Sequence, residues 1–108
     1  MILFGIPTCD TCRKARKALE AAGHAVTFRD IRQEPLTSDE WEPLITAFGD
    51  ALINRRSTTW RELSEAERAC GVSELLAAHP TLMKRPVVQE GNRLTLGWDE
   101  ATRAEWNV

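Results

Sequence analysis

Cys9 and Cys12, with two residues between them in "PTCDTCRKA", are the side chains best suited to chemistry in this chain. Two thiols at this spacing can serve disulfide exchange, supply half of a zinc site, or stand as small residues at the head of a helix. Zinc needs two more ligands. No second Cys-x-x-Cys and no His-x-x-x-His occurs, and His24, Cys70 and His79 are scattered. No metal site is therefore expected. His24 follows Gly23 and reads as a helix-end residue, and Cys70 as a small helix or loop residue.

The elements that hold the pair decide between exchange and a structural role. "MILFGI" is an apolar run of strand length ended by Pro7. Ala15, Ala18, Leu19 and Ala22 then recur at helical spacing, with Arg13, Lys14, Arg16, Lys17 and Glu20 on the other face and Gly23 as a stop. "AVTFRDI" alternates, with Val26 and Phe28 on one side and Thr27 and Arg29 on the other. Strand, helix and strand in so short a span make a βαβ unit with parallel strands. The cysteines fall in its strand-to-helix turn, where unpaired N–H groups and the positive end of the helix dipole stabilise a thiolate. Arg13 and Lys14 add positive charge from the surface, where it counts for less. Cys12 shares the stripe of Ala15 and Leu19 and should face inward, whereas Cys9 precedes the helix and should face the rim. Disulfide exchange needs that arrangement: Cys9 attacks and Cys12 resolves.

Further along, Thr37 and Glu40 can form a capping box before Trp41, Leu44, Ile45 and Phe48. Pro43 predicts a late start or a kink in that helix. Ser64 and Glu67 offer a second capping box, and "SELLAAH" a short helix that stops at Pro80. "RPVVQEGNRLTLGW" reads as two strands joined at Gly91-Asn92, and Asp99 can cap a last helix through Trp106. The resulting fold class is α/β, a small mixed sheet with helices packed against it. Pro86 would be trans on sequence alone, since only about 5–6% of X–Pro bonds in folded proteins are cis. Arg55 and Arg56 in "NRRSTTW" are either a solvated basic turn or an arginine fork suited to a carboxylate, as in glutathione, or to an oxyanion.

Composition narrows the classes. A chain of 108 residues points to one domain with a core of its own. A net charge of -2 gives no electrostatic case for binding nucleic acid or an anionic membrane. No run of about 18 apolar residues and no leader-like segment is found, so a cytoplasmic protein is expected. Three cysteines are too few, and odd in number, for a secreted disulfide framework.

"LFGIPTCDTCRKARKALEAAG", "LINRRSTTWREL" and "KRPVVQEGNRLTLGW" together resemble the arsenate reductase (ArsC)/Spx family over nearly the whole length, most closely its YffB-like branch. The resemblance implies a thioredoxin-like fold with a four-stranded mixed sheet, its core at 1–31 and 80–108 and a helical insertion at 32–79. It implies that Cys9 is the catalytic cysteine, and that Arg85 precedes a cis-proline, Pro86. Arg56 looks like the arginine before the "TTW" segment, while the corresponding arginine of the arsenate reductases falls at Asn54. The predicted catalytic residues are Cys9, Cys12 and Arg85, and the predicted substrate-binding residues Thr11, Asn54, Arg56, Arg85 and Pro86. Arsenate reductases use a further arginine after the hairpin, where this chain has Leu96, Gly97 and Trp98, and they keep a single cysteine in the motif. Both departures weigh against arsenate. The implied function is a glutathione-dependent thiol–disulfide oxidoreductase, a monomer with no tightly bound cofactor. Its partners would be glutathione, a small or protein thiol substrate, and glutaredoxin. The alternatives are an arsenate reductase fed by glutathione and glutaredoxin, and an Spx-like redox regulator that binds RNA polymerase.

Overall fold

The apolar opening folds as strand β1 (Ile2–Gly5), which pairs in parallel with β2 (Thr27–Asp30) in a register running from Ile2–Thr27 to Gly5–Asp30. Helix α1 (Asp10–Ala21) joins them, and a computed structural model describes all 108 residues in this way. On its other edge β1 pairs antiparallel with β3 (Val87–Glu90), which turns into β4 (Arg93–Leu96). The sheet is four-stranded and mixed, in the order β2-β1-β3-β4, as expected of this α/β fold. At the hairpin tip Glu90 faces Arg93, so Gly91 and Asn92 form a two-residue turn, with positive φ at Gly91 alone. That is the conformation a glycine in the first central position supplies.

Helix α1 buries Cys12, Ala15 and Leu19, which pack with Leu3, Val88 and Trp106. Ala22 is exposed rather than part of the stripe, because α1 ends at it. Gly23 takes a φ of +93°, its N–H bonds Glu20 O, and the His24 N–H bonds Leu19 O. Two otherwise orphaned carbonyls are thereby satisfied by a Schellman motif. Asp99 caps α6 (Glu100–Glu105) by accepting from the Thr102 N–H at 2.8 Å.

Residues Met1–Glu34 and Arg85–Val108 form one compact unit and Pro35–Lys84 another. The second holds α2 (Ser38–Phe48), α3 (Thr58–Glu62), α4 (Glu65–Arg68) and α5 (Val72–Ala78), with Trp41, Leu44, Leu52, Leu76 and Met83 among its buried side chains. The helical insertion expected over 32–79 falls mostly within this second unit. An isolated bridge joins Ile53 to Met83, the Asn54 N–H bonds Leu82 O at 2.8 Å, and the Lys84 N–H bonds Leu52 O at 2.6 Å.

Two further expectations for this unit change. Helix α2 does not start late: it runs from Ser38 through Pro43 to Phe48. Pro43 lies in the second turn, where it forgoes one bond, to the Asp39 carbonyl. The Thr37–Glu40 capping box and the burial of Trp41 and Leu44 offset that loss. "NRRSTTW" is not a turn throughout either. Ser57 accepts the Trp60 N–H at 3.1 Å and starts α3. No helix is long and apolar enough to cross a membrane.

Candidate active site

Four helices of this chain are capped alike: Thr37, Ser57, Ser64 and Asp99 each accept the backbone N–H three residues on. Cys9 occupies the same N-cap position of α1, in extended conformation with φ −82° and ψ 119°. A Cys-x-x-Cys motif starting at an N-cap thus makes Cys12 the residue whose N–H faces the cap side chain. A tight turn delivers Cys9 there: its own N–H bonds Ile6 O at 3.0 Å, with Pro7 and Thr8 between them. Pro7 sits where such a turn favours proline.

Both thiols are free, but their surroundings differ. Cys9 is half-buried, and its thiol forms no full capping hydrogen bond as it stands. Its anion is nonetheless favoured. Burial alone would raise the pKa, but the Cys12 N–H, the Cys12 thiol and the Arg85 guanidinium all favour the thiolate and hold the value below the ordinary cysteine range. Cys12 is fully buried, and burial pushes its thiol up to about 12, against a backbone hydrogen bond from Ile6 and with a further push from the Cys9 charge. The inward and outward facing of the two sulfurs is as the helical phase predicts. The nearby charge comes from a different source than Arg13, whose guanidinium is paired with Asp10. Arg85 supplies it.

A residue that sequence reasoning passed over makes this packing possible. Gly5 ends β1 on the same face as Leu3, and a methyl group there would lie 2.5 Å from the Cys12 sulfur. Gly5→Ala should therefore push Cys12 out of place and cost about 1–3 kcal/mol of stability. Urea unfolding monitors the stability loss, and Cys12 alkylation reports the displacement. The only signal for Gly5 in the sequence is its period-two spacing from Leu3, just before the motif.

The remaining predicted residues divide between the two units. Thr11 is exposed in the first turn of α1, and Pro86 is buried and joined to Arg85 by a cis peptide bond. Together with Cys9, Cys12 and Arg85 they belong to the unit that carries the sheet. Asn54 and Arg56 belong to the other, where the Asn54 Oδ1 accepts the Arg56 N–H at 3.1 Å. Trp98, at the place where arsenate reductases are expected to carry a further arginine, packs half-buried against the core around Cys12.

A cysteine at the N-cap of a helix, a buried second cysteine behind it and an arginine before a cis-proline thus make up the site. The ArsC family matches residues 4–106 of the chain. The chain belongs to the ArsC family. A protein of uncharacterised function from Haemophilus influenzae is 36% identical to this ArsC protein over 104 residues, covering 91% of this chain and 90% of that one. The global transcriptional regulator Spx of Bacillus subtilis is 35% identical over 106 residues, covering 91% of this chain and 79% of its own. The solved structure of a YffB protein superposes with a TM-score of 0.84 at 31% identity, covering 96% of each chain. The fold is thus the thioredoxin-like one of these relatives. Nowhere in this ArsC protein do three or more His, Cys, Asp or Glu side chains gather into a set able to hold a metal ion.

Proposed function

We propose that this ArsC protein is a thiol–disulfide oxidoreductase that draws its electrons from glutathione. The opposite shifts of two neighbouring thiols carry the proposal: Cys9 lies below the ordinary range and Cys12 is pushed up to about 12. The Cys9 thiolate attacks one sulfur of a substrate disulfide. A Cys9–substrate bond forms, the substrate S–S bond breaks, and the leaving thiolate takes a proton from water. Cys9 has now lost its negative charge, and one of the influences raising the Cys12 pKa is lifted with it. Cys12 then gives up its proton and attacks the Cys9 sulfur, which releases the second substrate thiol and leaves a Cys9–Cys12 disulfide. Two glutathione molecules reduce that disulfide and leave as oxidised glutathione. Where glutathione reaches the Cys9 mixed disulfide first, it takes the place of Cys12.

Arg85 stabilises the attacking anion in this scheme. Arg85→Ala should raise the Cys9 pKa and slow its alkylation several-fold at neutral pH, with Arg85→Lys retaining part of the rate. The pH profile of alkylation distinguishes this from a loss of fold. The direct test of the proposal is reduction of a small disulfide such as hydroxyethyl disulfide by glutathione, with arsenate as a parallel substrate. Turnover of the disulfide and not of arsenate supports it, and turnover of arsenate alone contradicts it.

A second role is favoured by one observation, the 35% identity to Spx across 91% of this chain. A redox-sensing regulator would use the same pair as a switch between dithiol and disulfide. It would bind RNA polymerase in one redox state and show no turnover.

A further inference from the structure

In the unit formed by Pro35–Lys84, three cations from two distant stretches of sequence line one concavity of about 460 Å³: Arg55, Arg56 and Lys84. The Ile53–Met83 bridge and the hydrogen bonds beside it put them there, since they lay the chain around Lys84 along residues 52–54. All three side chains are exposed, and none is paired with a carboxylate. Arg13 and Arg16, by contrast, are paired with Asp10 and Glu20 along their own helix. Arg55 is held partly in place, with its guanidinium over the Trp60 ring at 5.2 Å and Nη1 donating to the Asp50 carbonyl at 3.4 Å. The remaining polar lining is Asn54 and one carboxylate, Asp50.

A solvated basic turn would account for Arg55 and Arg56, which are neighbours in sequence. It does not account for Lys84, which the fold brings to them. Three cations beside one carboxylate, in a chain whose net charge is -2, complement a ligand with two carboxylates and one ammonium. Glutathione has that charge pattern, and an inorganic oxyanion lacks the ammonium. Arginine forks suit carboxylates in particular.

We propose that Arg55, Arg56 and Lys84 form a subsite for the carboxylates of glutathione, with Asp50 facing its ammonium. The thiol role proposed above supplies the identity of the ligand, but the subsite is testable without any thiol chemistry. The probe is S-methylglutathione, whose sulfur cannot exchange, titrated calorimetrically into the reduced wild-type protein at low ionic strength. The subsite predicts binding that weakens as salt is added, and weakens about tenfold or more when both carboxylates of the probe are esterified. Lys84→Gln and Arg55→Gln should each weaken binding about fivefold, Lys84→Arg should restore it, and Asp50→Asn should weaken it too. Thermal unfolding of each variant confirms that the fold persists. No binding of S-methylglutathione, equal binding of its diester, equal binding of inorganic phosphate, or indifference to the Lys84 and Arg55 substitutions would each overturn the subsite. A protein that binds the probe as predicted but turns over no disulfide keeps the subsite and loses the oxidoreductase role. One that turns over disulfide but binds the diester equally well does the reverse.

Discussion

Cys9→Ser will abolish disulfide turnover, by about 10³-fold or more, and Cys12→Ser will accumulate a mixed disulfide between Cys9 and the substrate. A serine hydroxyl at the N-cap can accept the Cys12 N–H as Ser57 and Ser64 accept theirs, so α1 keeps its cap. It stays protonated at neutral pH and offers no thiolate. Cys12 lies behind the nucleophile, fully buried and with its pKa at about 12, and contributes only once Cys9 is covalently engaged. The two variants should therefore fail at different steps, and mass spectrometry of the stalled protein shows which. Where glutathione resolves the intermediate in place of Cys12, the trapped species appears only when glutathione is withheld. Equal loss in both variants, with no trapped species in either condition, would contradict the assignment of Cys12 as the resolving thiol.

Trp106→Ala should cost about 3–5 kcal/mol, a large share of the roughly 5–15 kcal/mol that holds a small domain folded. Only 1% of Trp106 is exposed, and it packs with Leu3, Cys12, Ala15, Leu19 and Val88. Its Nε1–H donates to the Thr95 hydroxyl at 2.8 Å, and the Arg93 guanidinium lies over its ring at 4.4 Å. Truncation leaves a cavity beside Cys12 and strips the buried Thr95 hydroxyl of its donor. At about 4–8 °C per kcal/mol for a domain of this size, the melting temperature should fall by well over 10 °C. Trp106→Phe, which refills most of the cavity, should lose much less. Urea unfolding of the two variants separates the packing from the hydrogen bond.

Much of this architecture was legible because it is written in local chemistry. Thr37, Ser64 and Asp99 are caps in sequence and caps in the structure, and Gly91-Asn92 closes the hairpin it announced. The inward turn of Cys12 followed from helical phase, since one helix face alone can meet the sheet. What was not legible depends on contacts between distant residues. Gly5 looks like any strand glycine until the Cys12 sulfur is laid against it. Lys84 is one more surface lysine until Met83 pairs with Ile53. Arg13 was read as a minor surface contribution to the charge near the thiol and is paired with Asp10, whereas Arg85, more than seventy residues away, acts on the thiol, an expectation that came from the family resemblance and not from local pattern. The cis bond before Pro86 ran against the sequence prior and agreed with the family resemblance. Pro43 was overweighted as a reason for a late start: a proline near the beginning of a well-capped helix removes one bond and need not delay the helix.

The central claim is that Cys9 is an activated nucleophile and Cys12 its buried partner. The most direct test is the pH dependence of alkylation in the wild-type protein, with Cys9, Cys12 and Cys70 followed separately by peptide mass spectrometry. Cys9 has the depressed pKa, so its rate should rise with pH and level off below the ordinary cysteine range. Exposed Cys70, whose pKa is raised, should titrate above it, and buried Cys12 should stay unreactive until strongly alkaline pH. A Cys9 that titrates together with Cys70, or above it, would contradict the account.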